Sequence, residues 1–196
     1  MRKAVVLFNL GGPDSLDSVK PFLFNLFNDP AIINLPFFLR YPLAKILSKR
    51  REPIAKKIYE EIGGSSPILK LTQEQALQLE ESLNFKQSYI KFKTFIAMRC
   101  WKPRASETIK ELIEFNPDEV ILFPLYPQFS YSTSGSSIKE WKNICKKNKF
   151  EKKTDIICCY PTDENFIDAH IDEIKNKIKK NENEKIIFSA HGLPEK

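Results

Sequence analysis

At 196 residues, 42% hydrophobic, 12% aromatic and 29% charged, the chain has the make-up of an ordinary folded protein and enough length to bury a full core, so it is neither a stapled miniature nor a disordered segment. The net charge of +6 sits mainly in Lys-rich runs at 146–153 and 175–185, mixed with Asn and Glu, which read as solvated faces. No interleaved aromatic platform, zinc-finger or RNP-like signature accompanies them, which argues against a nucleic-acid partner.

The first apolar run, AVVLF within MRKAVVLFNLGGPD, is too short for a signal peptide and predicts a strand over Lys3–Leu10. The Gly11-Gly12-Pro13 turn after it fits neither the dinucleotide nor the P-loop spacing. It either closes a tight strand-to-helix turn or lets the backbone pass close to a bulky ligand or a neighbouring loop. The segment 21–47 is the most apolar, with Phe22, Phe24, Phe27, Phe37 and Phe38, but prolines at 21, 30, 36 and 42 break it too often for one long core helix. Arg40 and Lys45 also deny it the apolar run of about 18 residues that a membrane span needs. It suits a lid or pocket wall for a large flat ligand, a face resting on a membrane, or plain core packing.

Arg51, Tyr59 and the turn Ile62–Pro67 then supply a cation, a phenol and a helix start, which together suit an anion such as a carboxylate. Surface charge and routine capping account for the same residues equally well. A helix is predicted over Pro67–Leu83, capped by Ser66 with Pro67 in the first position. Further helices are predicted over Ala105–Phe115, Ser137–Lys147 and Asn165–Lys180. Ile167, Ile171, Ile174 and Ile178 stripe the last of these, with His170 at the edge of the core. Strands are predicted over Ile90–Arg99, Glu119–Tyr126, Lys153–Tyr160 and Lys185–His191, most with apolar blocks suited to burial on both faces.

This alternation predicts an α/β fold with a doubly wound parallel sheet, Rossmann-like in plan. Residues 1–180 make up its N-terminal domain; the strand that follows either extends that sheet or makes 181–196 the first strand and His loop of a second, similar and incomplete domain. Ligands of such sheets bind beyond the carboxyl ends of the strands, and there Gly, Pro, Arg, Tyr, Ser and His collect. His191 ends the apolar strand KIIFSAHGLP, where an imidazole is held rigidly and can take a proton or a borderline metal near neutral pH; a hydrogen-bonded core histidine is the other reading. A G-x-S-x-G elbow is absent and no second His pairs with it at metal-ligand spacing, so serine and metal-hydrolase chemistry do not fit. Cys100, Cys145, Cys158 and Cys159 form no C-x-x-C pair and read as reduced thiols, with Cys158 and Cys159 as inert packing residues.

Five segments taken together, NLGGPDSLDSVKPFL (9–23), YEEIGGSSPI (59–68), AMRCWKP (97–103), PLYPQFSYSTSGSS (124–137) and FSAHGLP (188–194), resemble the ferrochelatase family in order and over nearly the whole chain. The resemblance implies a chelatase-like α/β fold that inserts Fe2+ into protoporphyrin IX with loss of two pyrrole protons, using no organic cofactor. It makes His191 the metal ligand or proton acceptor. Arg51, Tyr59 and Ser66 become porphyrin contacts, with Leu10 and Arg99 near the macrocycle. A cytoplasmic protein is implied, with peripheral membrane contact through 21–47. Cys100 stands where the family usually has a Tyr, which would remove a ring-facing hydroxyl. Tyr131 stands where some members carry a cluster-ligating Cys, so no iron–sulfur cluster is expected. The acidic residue that faces the His in the family would lie beyond Lys196. A porphyrin-binding fragment without activity, or a chelatase for coproporphyrin or another metal, are the alternatives.

Overall fold

The computed structural model describes residues 1–87, 89–178, 185–189 and 192. Its strands are β1 (Arg2–Asn9), β2 (Lys91–Met98), β3 (Glu119–Pro124) and β4 (Lys153–Ile156). Helices α1 (Val19–Phe27), α2 (Phe37–Glu61) and α3 (Ile68–Lys86) lie between β1 and β2; α4 (Ala105–Phe115), α5 (Ser136–Lys147) and α6 (Glu164–Lys177) follow. The chain divides into two units, Met1–Cys159 and Tyr160–Lys196.

β1 is buried without a break from Ala4 to Phe8, which a strand can achieve only inside a sheet covered on both faces. It pairs in parallel with β2 on one side and β3 on the other, and β3 pairs in parallel with β4, giving the order β2-β1-β3-β4. Alternating side chains then serve two cores. Val5 and Leu7 meet Phe92 and Ala76 of α3, whereas Ala4, Val6 and Phe8 meet Ile109 and Leu112 of α4 and Trp141 of α5. Each such fully buried Val, Leu or Phe contributes about 1.5–3 kcal/mol of transfer free energy. The doubly wound α/β fold expected from the sequence is the fold observed.

α3 also covers the outer edge of β2. The Glu80 carboxylate accepts the Thr94 N–H at 2.7 Å and its hydroxyl at 2.9 Å. Asn84 brackets Phe92 as a neighbouring strand would, accepting its N–H at 2.9 Å and donating to its carbonyl at 3.0 Å. Side chains thus satisfy backbone groups that an open edge would leave unpaired.

Three expectations need correction. β4 stops at Ile156 and is exposed along its whole length, because it pairs only with β3; Cys158 and Cys159 beyond it are exposed rather than packed. The proline-broken segment 21–47 is, as expected, no single helix: α1 ends at Phe27 and α2 starts at Phe37, although α2 then runs through Pro42 and Pro53 as far as Glu61. Residues 185–189 form no strand, and Ile187 and Phe188 are 89% and 83% exposed, since an apolar run without a ladder partner has nothing to make it a strand. His170 is exposed, not at a core edge; its Nδ1 donates to the Phe166 carbonyl at 2.8 Å and its ring meets that of Phe166 edge-on. α6, capped by Asp163 accepting from Phe166 N–H, has no buried residue.

Candidate functional site

From β1 the chain moves outward to β2, then crosses back past β1 to β3. Between β1 and β3 the loops therefore diverge beyond the carboxyl ends, leaving the crevice where open α/β sheets take ligands. The loops around it are tied together by backbone bonds. Arg99 and Cys100 N–H donate to the Asn9 and Leu10 carbonyls, and Leu125 N–H to Phe8, each at 2.8 Å. Ser66 N–H donates to the Pro13 carbonyl at 2.8 Å, which draws the α2–α3 turn onto the first loop. Gly12 makes that approach feasible, because a Cβ there would stand 2.4 Å from Ser66 Oγ. Of the two readings of Gly-Gly-Pro, a neighbouring loop is what comes close.

α2 reaches the same place by a stripe of small residues. Ala44 and Ser48 are buried, and further along Ala55 and Tyr59 pack with Val19, Phe22 and Leu23 of α1 and with Leu10, Cys100 and Trp101. Gly63 and Gly64, both with positive φ, then end the helix, and Gly64 N–H donates to the Tyr59 carbonyl at 2.7 Å. Tyr59 is partly buried, and that burial raises its phenol above the ordinary value. Arg51 precedes it by two helical turns, about 12 Å along the axis. Its side chain is exposed and forms no ion pair among the described residues. Ser66 Oγ accepts the Ile68 N–H at 3.3 Å, so the hydroxyl sits at the mouth of α3; Ser66, the predicted cap, lies one position before the observed cap, Pro67.

Arg99 is engaged quite differently. Its Nη2 meets Asp29 Oδ2 and its Nη1 meets Glu140 Oε1, both at 2.9 Å, and Nε donates to Ser136 Oγ at 3.2 Å. Arg104 Nη2 shares the same Glu140 oxygen at 2.7 Å. A cavity of about 860 Å3 opens beside this cluster, lined among others by Phe129, Tyr131 and Lys139. Deeper in, burial pushes the Cys100 thiol up to about 12 and also raises the Tyr126 phenol, so neither ionises near neutral pH. Among the described residues no three His, Cys, Asp or Glu side chains gather as a metal cage.

A family model described as Ferrochelatase matches residues 2–196. The chain belongs to the ferrochelatase family. Curated ferrochelatases align along it: that of Pelagibacter ubique is 65% identical over 196 residues, covering 100% of this chain and 57% of that protein. That of Rickettsia bellii is 55% identical, covering 100% and 54%, and that of Caulobacter vibrioides 50% identical, covering 98% and 56%. The chain thus spans a little over half the length of these relatives.

Of the residues that the ferrochelatase motifs single out, the fold brings Leu10 and Ser66 onto the joined loops, puts Arg51 and Tyr59 on the helix leading to them, and sets Arg99 just after β2. His191 lies outside the described residues. Cys100, at the position the family usually gives to Tyr, is only 1% exposed and packs with Val19, Phe22 and Leu23. Asp29 and Glu140 were not legible as partners of Arg99. Asp29-Pro30 reads as a turn and Glu140 as helix-surface charge. The available signal was Arg99 itself, since a cation at the end of an apolar strand needs a counter-charge.

Proposed function

We propose that this chain acts in the insertion of Fe2+ into protoporphyrin IX, the step that forms protohaem, as the porphyrin-holding part of a ferrochelatase. Membership of the family along residues 2–196 carries this reading. The chemistry of the site agrees with it. A porphyrin is a flat apolar ring with propionates at one edge. Leu10 and Tyr59 offer apolar surface for the ring, while Arg51, without an ion pair among the described residues, and the Ser66 hydroxyl suit a propionate. Iron is here a substrate, not a resident cofactor.

A planar porphyrin hides its lone pairs and N–H groups in the ring plane, so metal insertion needs the ring bent and its protons removed. Binding along the ring and propionates supplies the energy for bending. His191 accepts the pyrrole protons or holds the incoming metal. Substituting His191→Ala is expected to slow Fe2+ or Zn2+ insertion by about 100-fold or more, the usual scale for a lost proton acceptor, with little change in porphyrin affinity. Unchanged insertion rates would overturn the assignment.

We further infer that the protein works without an iron–sulfur cluster, because Tyr131 offers a phenol where a cluster would need a thiolate. Among the described residues no helix is long and apolar enough to cross a membrane. Phe37 and Phe38 are 63% and 72% exposed at the start of α2, with Lys45 and Lys49 nearby in sequence, which suits peripheral contact of a cytoplasmic protein with an anionic membrane surface.

A further inference from the structure

We propose that Arg99 serves porphyrin binding as a positioning residue, clamping the turn that launches α2 and so fixing where Arg51 and Tyr59 stand. This rests on the porphyrin reading above.

The cluster around Arg99 is neutral: Arg99 and Arg104 face Asp29 and Glu140. It has no surplus cation to offer a propionate, whereas Arg51 has no carboxylate partner among the described residues. Asp29 is the node of a turn. Its Oδ1 accepts the Ala31 N–H at 2.9 Å, and its carbonyl accepts the Ile32 and Ile33 N–H groups at 3.0 and 2.9 Å. The side chain of Asp29 is 3% exposed, so its second oxygen depends on Arg99 for compensation. Three residues after that turn α2 begins, and Arg40 of α2 donates back to the Asn28 and Leu35 carbonyls, so turn and helix move as one piece. Asn25 of α1 donates to the Cys100 carbonyl at 3.0 Å, anchoring the same loop from the other side. Rigid contacts therefore run from the end of β2 through Arg99 and Asp29 into the helix that carries Arg51 and Tyr59.

The test compares Arg99→Met, Arg99→Lys and Asp29→Asn in the 196-residue chain by amide hydrogen exchange and by titration with protoporphyrin IX and its dimethyl ester in one detergent. Exchange at residues 29–40 is expected to rise about tenfold or more in Arg99→Met and Asp29→Asn while residues 105–115 stay protected, with Arg99→Lys in between. Affinity for the diacid and the ester is expected to fall by the same factor, because the helix rather than a charge contact has moved. Loss of affinity for the diacid alone, with exchange at 29–40 unchanged, would make Arg99 a ligand contact and overturn the proposal. A uniform rise in exchange across the sheet would overturn it too. Should Arg99→Met not fold, Asp29→Asn keeps the shape and decides. If the wild-type chain binds neither porphyrin, the functional reading falls, and the exchange pattern alone decides whether Arg99 sets α2.

Discussion

Gly12 and Cys100 illustrate how single positions set the site. A methyl at Gly12 would press on Ser66 at 2.4–2.5 Å, far inside van der Waals contact, so the two loops would have to part. Gly12→Ala is expected to cost about 1–3 kcal/mol, read as a lower urea midpoint with unchanged slope. Cys100 is buried and its thiol is held near 12, whereas Cys158 and Cys159 are exposed. Iodoacetamide at pH 8 should therefore modify Cys158 and Cys159 in the native protein and Cys100 only after unfolding, as mapped by mass spectrometry. Early modification of Cys100 would contradict its placement. Asp29→Asn leaves the part-buried Arg99 guanidinium with Glu140 as its remaining carboxylate, so the loosening it causes is expected at the turn before α2 and not across the sheet.

Secondary structure was legible where pattern and termini agreed. α4 occupies the predicted Ala105–Phe115 because its apolar stripe starts at a clear boundary, where Glu107 accepts the Arg104 N–H at 2.7 Å, and ends at Asn116 in the left-handed region. β1 was legible because its unbroken apolar run allows only an interior strand. α2 was not, because Pro36 and Pro42 read as breakers, and the packing of Ala44, Ser48, Ala55 and Tyr59 that carries the helix through Pro42 is a tertiary fact. β4 was over-read for a related reason: an apolar run reveals the capacity to be buried, but not whether a neighbour covers it.

Two features of the sheet margins give measurable outcomes. Asn84→Ala should speed exchange of the Phe92 amide and lower stability by about 1–3 kcal/mol, since it strips partners from both backbone groups of that residue. Glu119 receives Lys153 and Lys3, each at 2.7 Å, and these bonds pull its carboxyl from 4.5 down to about 2. Because the folded value lies below the unfolded one, its stabilisation is full above about pH 4.5 and is lost as the pH falls toward 2. Denaturation of Glu119→Gln beside the parent should thus differ most above pH 5 and converge near pH 2. A gap that widened on acidification would contradict the arrangement.

At the scale of the molecule, the doubly wound sheet and the crevice at its carboxyl edge followed from strand and helix alternation, and the family followed from motifs set on those strand ends. The division of labour among the arginines did not. Sequence makes Arg51 and Arg99 alike as cations near a carboxylate-bearing ligand, while folding leaves Arg51 without an ion pair among the described residues and surrounds Arg99 with Asp29, Glu140 and Ser136. The proposed function has this chain hold a porphyrin through α2 and the loops beside it. Titration of the 196-residue chain with protoporphyrin IX, followed by fluorescence, tests it most directly. Saturable one-to-one binding is expected, weakened about tenfold or more by Arg51→Leu, the worth of a lost charge-assisted hydrogen bond. Failure to saturate, or binding indifferent to changes at Arg51, Tyr59 and Ser66, would contradict it.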